Sequence, residues 1–227
     1  MENYLKNDPN FESIITVFNK NNIPYWICHG TLLGIIRDEK LIDWDHDIDL
    51  GVWSTKVNRE EVINIVTKEG FKLREEYGIK SDTISFTKHG GRIVDINFYN
   101  VLKEKNSEDI AYVKWYIPKN IFMQLVDALS QADTYMGKYR KLINSASWFK
   151  NFFKLVKNFL IKIKLFYKIT GYSEPVNLIG TPKIIYFKDL EVKIPINPEK
   201  YLRYIYGEEW KVPKKNYIWY KESKSLI

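Results

Sequence analysis

Between positions 43 and 50 four aspartates alternate with bulky residues, in the order Asp43-Trp44-Asp45-His46-Asp47-Ile48-Asp49-Leu50. No other stretch constrains so tightly what the chain can fold into. In an extended strand successive side chains point to opposite faces, so the four carboxylates line one side and Trp44, His46, Ile48 and Leu50 the other. Like charges along one strand face repel. The pattern therefore asks for a counter-charge, and a hard divalent cation with oxygen ligands is the natural one. A solvated acidic turn is the alternative. Ile48, Leu50 and Val52 favour a half-buried strand over 44–53 instead.

The flanking elements give that strand a setting. Phe11, Ile14, Ile15 and Phe18 recur with helical spacing, and Asn21-Asn22 ends the helix. Tyr25 to His29 form a short apolar strand that stops at Gly30, and helical character resumes from Thr31 to Arg37, which puts Gly30-Thr31 at a strand-to-helix junction. Residues 58–69 read as a helix with Asn58 as N-cap and Gly70 past its end. Thr83–His89, Gly90-Gly91 and Arg92–Tyr99 read as a β-hairpin. Its second strand carries Asp95 on the same face as Ile93 and Asn97, and a carboxylate in a β-branched strand is expensive unless it has work or water. The pattern from 118 to 168 is helical; 183–187 and 190–194 form a second strand pair, and a short helix starts at Pro198 and stops before Gly207. The fold class expected is α+β, a mixed β-sheet with flanking helices and a helical insertion. We expect one domain over 1–227, with 110–180 the mainly helical insertion.

Composition removes several classes. With 45% hydrophobic and 15% aromatic residues, a chain of 227 residues buries a core and is not disordered. One cysteine, Cys28, excludes an internal disulfide and suits a reducing cytosol. With the widely spaced His29, His46 and His89 it cannot build a zinc cluster without many carboxylates. The first residues lack the apolar core of a leader peptide, and no apolar run reaches the length of a membrane span. The formal charge of +7 admits nucleotides, nucleic acid or an anionic membrane as partners.

Gly30-Thr31 at a helix start offers backbone N–H groups to a phosphate. Asp47 and Asp49 can share a divalent ion, Asp95 can complete the site from another strand, and Arg37 can add a second cation on a phosphate. Mg²⁺, with Mn²⁺ as the alternative, suits few carboxylates plus phosphates and water. The chemistry so described is metal-assisted phosphoryl or nucleotidyl transfer. A glycosyltransferase that binds a nucleotide-sugar through Asp-x-Asp is a rival; the Gly-Thr and the third aspartate weigh against it.

Residues 29–37 and 42–50, with the closing stretch 194–210 and Pro213, resemble the LicD family, which includes bacterial phosphocholine transferases and is similar to the fukutin-type ribitol-phosphate transferases. The resemblance covers 25–53, 92–99 and 194–213. It implies a nucleotidyltransferase-like fold, a CDP-activated donor and transfer of a phospho-alcohol to a hydroxyl of a glycan or lipid-linked glycan, with no nucleic acid as partner. Carried over, Asp47 and Asp49 are metal ligands, Asp95 is a further ligand or the base, and Gly30, Thr31 and Arg37 contact the donor phosphates. Asp45 orients a ligand from behind, and Asp43 is solvated. The cysteine-based zinc element of the fukutin-related proteins is missing here, and features tied to it do not carry over.

His29 precedes the Gly-Thr and is a candidate substrate contact; His46 is expected on the far strand face, and Trp26, Trp44 and Trp53 in the core. Residues 148–168 read as a basic, aromatic-rich amphipathic helix, with Lys150, Lys154, Lys157, Lys164 and Lys168 on one stripe. An anionic membrane surface is one partner for it, and packing on the domain or on another subunit is the other. The location expected is cytoplasmic, with peripheral attachment to the inner membrane face through that helix. A nucleotidyltransferase that adds a nucleotide to a small molecule or RNA is the alternative activity. A binding module that has lost activity is disfavoured by the presence of Asp47, Asp49 and Asp95.

Overall fold

Helix α1 (Pro9–Lys20) forms where the apolar spacing places it. The Asp8 carboxylate accepts from the Asn10 and Phe11 amides at its start, and Phe11, Ile14, Ile15 and Phe18 are fully buried. In this computed structural model residues 8–74, 81–103, 108–133, 135, 139–217, 222, 223 and 225 are described. The first seven residues, read above for a leader, lie outside them. Strand β1 (Trp26–Ile27) leads into α2 (His29–Asp38), then β2 (Asp47–Trp53) and α3 (Arg59–Lys68), whose Asn58 cap accepts from the Glu61 amide. Strands β3 (Lys72–Leu73), β4 (Thr83–Thr87), β5 (Ile93–Leu102) and β6 (Ile110–Pro118) follow. Helices α4 (Ile121–Ser130), α5 (Arg140–Ser145) and α6 (Lys150–Lys162) come next, with a 3₁₀ turn at Ser147–Phe149. The chain continues through β7 (Tyr167–Pro175), α7 (Val176–Ile179), β8 (Lys183–Phe187), β9 (Leu190–Ile194) and α8 (Pro198–Tyr206).

The main sheet runs β1-β2-β5-β4-β3, with β6 paired to β5 and β7 to β6; β8 and β9 form a separate hairpin. It is mixed, as expected: β2 and β5 are parallel, while β1–β2, β4–β5 and β3–β4 are antiparallel. Ile48, Leu50 and Val52 on β2 and Val94, Ile96 and Phe98 on β5 fill one face. Phe11 meets Phe187 edge-on, which ties α1 to the β8–β9 hairpin. The chain divides into two compact units, residues 1–114 with 171–227, and residues 115–170.

Three expectations are corrected. Strand β2 begins at Asp47 rather than at 44, because pairing to β5 begins there, at Asp47 opposite Ile93. Residues 42–45 form a turn, in which the Asp45 amide donates to the Ile42 carbonyl. The four carboxylates therefore do not share one strand face, and His46 is an exposed residue at the entry to β2 rather than a far-face strand residue. Trp44 belongs to that turn and is exposed, whereas Trp26 is buried in the core. Finally, the helix expected over 148–168 stops at Lys162. Lys164 adopts a left-handed conformation (φ 59°), and the chain enters β7 at Tyr167. The lysine stripe breaks with it, since Lys157 is buried against Asp127 at 2.7 Å and Lys168 lies on a strand.

Candidate active site

Two parallel strands bring the acidic groups together. Asp49 on β2 stands opposite Asp95 on β5, and Asp47 lies one pleat earlier on the face of Asp49. Neighbouring polar side chains hold each in place. Asn97 hydrogen-bonds Asp49 and accepts from the Thr83 hydroxyl at 2.7 Å, and Ser85, opposite Asp95 on β4, hydrogen-bonds the Asp95 carboxyl. Asp45 returns from the turn to hydrogen-bond Asp47. Its Oδ2 lies where a side chain on Gly30 would project, 2.3 Å from an ideal Cβ. Gly30 is thus glycine because a carboxylate is seated against the first turn of α2, a favourable end for an anion.

The electrostatics follow from crowding. Burial pushes Asp95 up to about 6, opposed by the Ser85 hydroxyl and reinforced by Asp47. Asp45 is raised to about 7 by burial and then by Asp47. Asp49 is driven well up by burial, with Asp47, Asp95 and Asp45 adding to it. Among the described residues the Asp95 Oδ1 is buried with no hydrogen-bond partner. Crowded hard oxygen donors, one of them an orphan, fit a divalent cation. No three His, Cys, Asp or Glu side chains among the described residues are gathered closely enough to hold an ion alone.

The remaining predicted residues fall as follows. The Thr31 hydroxyl is buried and accepts from the Asp49 amide at 2.9 Å, so it locks α2 to β2. Arg37 is held by its neighbour Asp38 in a two-point pair at 2.8 and 2.6 Å. The arginines that act on the cluster are Arg92, on Asp45, and Arg74, on Asp95. Asp43 is exposed and paired with Lys40 at 2.7 Å. His29 is buried, so burial lowers it to about 3 and it stays neutral. Its Nε2 meets the Tyr99 hydroxyl at 2.9 Å, and its ring lies 4.5 Å from that of Tyr172.

Sequence reasoning missed what stands behind His29. The Tyr99 hydroxyl donates to Glu174 at 3.2 Å, and burial pushes Glu174 up to about 8 against the opposing hydroxyls of Tyr99 and Tyr201. Tyr206, on α8, also lies within electrostatic reach of Asp49 and Asp45, and its ring is 5.1 Å from that of Tyr217. Nothing in the local sequence marks Glu174 or these tyrosines, because only long-range packing brings them under α2.

Fold and site together define a mixed-sheet α+β domain with an acidic centre set against a helix start. The chain belongs to the LicD/FKTN/FKRP nucleotidyltransferase-domain family, whose model matches residues 22–135. It is 23% identical over 201 residues to the human ribitol-5-phosphate transferase FKTN, covering 88% of this chain and 32% of that protein. It is 31% identical over 64 residues to the human ribitol 5-phosphate transferase FKRP, covering 26% of this chain and 13% of that one. An uncharacterised protein of Rickettsia typhi is 31% identical over 90 residues, covering 39% of this chain and 27% of its own. The chain thus spans about a third or less of the length of these relatives.

Proposed function

We propose that this protein is a Mg²⁺-dependent phosphotransferase that moves a phospho-alcohol from a CDP-alcohol to a hydroxyl of a glycan or lipid-linked glycan. The observation that carries this reading is the pairing of Asp49 with Asp95 across β2 and β5, beside Asp47 and the first turn of α2. Family membership and the ribitol-phosphate transferases among its relatives support it. Asp47 and Asp49 would hold the cation, with Asp95 as a further ligand, and the ion would screen charge on the donor phosphates. The acceptor oxygen attacks the phosphorus that bears the alcohol, the bond from that phosphorus to the bridging oxygen breaks, and CMP leaves with the bond's electrons. Asp95, raised toward neutrality by burial, has the basicity to take the hydroxyl proton if it is not occupied as a ligand. The start of α2 at Gly30 and Thr31, where the Asp45 carboxylate is seated, would favour the charge that develops on the leaving phosphate. The single buried thiol, Cys28, agrees with a cytoplasmic location.

The test is turnover with a panel of CDP-choline, CDP-ribitol and CDP-glycerol, alongside CTP, with products read by mass spectrometry. The expected outcome is release of CMP from one of the CDP-alcohols, and its loss by about two to three orders of magnitude in Asp49→Asn. Pyrophosphate released from CTP with the CDP-alcohols untouched would replace this reading with that of a nucleotidyltransferase.

A further inference from the structure

The unit spanning residues 115–170 concentrates two properties that the rest of the chain lacks. It carries ten Lys or Arg against two Asp, a net +8 within a chain whose total is +7. It also holds thirteen of the twenty-one exposed large apolar side chains among the described residues, in a quarter of the length. Scattered exposed apolar residues are ordinary; a contiguous patch is not.

Helix α6 shows how the two are arranged. Its inward side, with Phe153, Val156, Leu160 and the buried Lys157, packs toward α4, where Lys157 reaches Asp127 at 2.7 Å. Trp148, Phe152, Leu155, Phe159 and Ile163 recur at intervals of four, three, four and four residues and so form one continuous stripe. That stripe is 43–76% exposed throughout. Asn151, Lys154, Asn158 and Lys162 run alongside it as a polar stripe, and α6 contains no acidic residue. On α4, Ile121 and Phe122 add 83% and 61% exposed side chains. A protein partner would need a matching apolar groove lined with acid. A bilayer with anionic headgroups offers apolar depth and negative charge together, and the helix presents the two kinds of side chain in the matching order.

We propose that the 115–170 unit is a membrane-docking element that lays the Trp148–Ile163 stripe into the interface of an anionic bilayer, with Lys154 and Lys162 at headgroup level. The inference does not depend on the reaction assigned above, although an acceptor anchored in lipid would make the two meet on one surface.

The test uses the full chain and vesicles of phosphatidylcholine alone or mixed with phosphatidylglycerol. Co-sedimentation with the anionic vesicles is expected, at least tenfold weaker with the neutral ones, and weakened by raising NaCl from 0.1 to 0.5 M. The triple variant Phe152→Glu/Leu155→Glu/Phe159→Glu changes exposed positions only. It is expected to keep the wild-type circular dichroism and melting temperature and to lose at least a hundredfold of the partition coefficient. Lys154→Glu/Lys162→Glu should lose binding to anionic vesicles while leaving the weak neutral binding in place. Wild-type protein that stays in the supernatant with anionic vesicles overturns the proposal. So does a folded triple variant that binds as the wild type does, or a wild-type dimer whose dissociation by the triple variant leaves vesicle binding unchanged. CMP release on a soluble acceptor, measured in parallel, separates failure of docking from failure of the reaction.

Discussion

At position 51 the chain has no room for a side chain. Trp26 lies across β2 at its register partner Gly51, and an ideal Cβ there falls 2.3 Å from the indole Cε2. The indole cannot give way, because it is fully buried and packed by Trp53 at 4.8 Å and Tyr99 at 5.2 Å between ring centres. Gly51→Ala should therefore destabilise the protein by about 2–3 kcal/mol, the upper range for overpacking a tight core. Urea unfolding reads it as a lower midpoint at constant slope, and an unchanged midpoint would refute the packing argument. Glycine at 30 has a different cause. There the neighbour is the Asp45 carboxylate, and the space serves charge rather than an aromatic ring.

Among the elements, α4 and α6 share a buried ion pair within their packed face. The Lys157–Asp127 side chains are only 7% and 19% exposed, and breaking such a pair leaves a charge in poor solvent. Asp127→Asn is expected to remove about 2–3 kcal/mol from this unit, seen as faster amide hydrogen exchange in α4 and α6 while β2 and β5 keep their protection. The double change Asp127→Leu/Lys157→Met should recover most of that loss, since matched apolar groups replace the pair without an orphan. Exchange that accelerates equally in β5 would mean that the units unfold as one. Of the two elements, α6 shows in the sequence as an amphipathic pattern, but its end does not. Lys164 stops it by adopting a left-handed conformation, with the Leu165 amide donating to the Leu160 carbonyl, a geometry that no glycine announces.

For the molecule as a whole, buried ionisable groups set the dependence on pH. Asp45, Asp95 and Glu174 hold protons in the fold, to about 7, 6 and 8, that the unfolded chain releases near 4, and Asp49, driven well up, acts in the same sense. Their contribution is full at low pH and is lost as pH rises through those values. His29, lowered to about 3, acts in the opposite sense, since its contribution is present above the unfolded value of 6.5 and is lost as pH falls toward 3. The two trends oppose each other between about 4 and 6.5, and above 6.5 only the carboxyls act. Without divalent ions, stability should fall by about 3 kcal/mol from pH 6.5 to 8.5. Millimolar Mg²⁺ should offset the part due to Asp45, Asp49 and Asp95, and Glu174→Gln the part due to Glu174. Urea midpoints across that range test this, and a flat or rising profile without Mg²⁺ would contradict it.

The sequence by itself determined every element whose identity rests on local periodicity, capping or a turn. Helices α1, α3 and α8, the β4–β5 and β8–β9 hairpins, the core face of β2 and the family resemblance are of this kind, because 3.6- and 2-residue repeats and Asn, Gly and Pro signals act over a few residues. It also singled out Asp47, Asp49 and Asp95 as unusual, since a carboxylate in an apolar strand is locally costly. Only the tertiary structure decided that Asp49 faces Asp95, because strand register is a long-range property. It alone released Asp43 to Lys40 and turned Asp45 back onto Gly30, since the ladder to β5 starts only at the His46 carbonyl, which accepts the Ile93 amide at 3.1 Å. It alone placed Glu174, Tyr99 and Tyr201 beneath His29, through contacts between residues up to 172 positions apart that no window along the chain can contain.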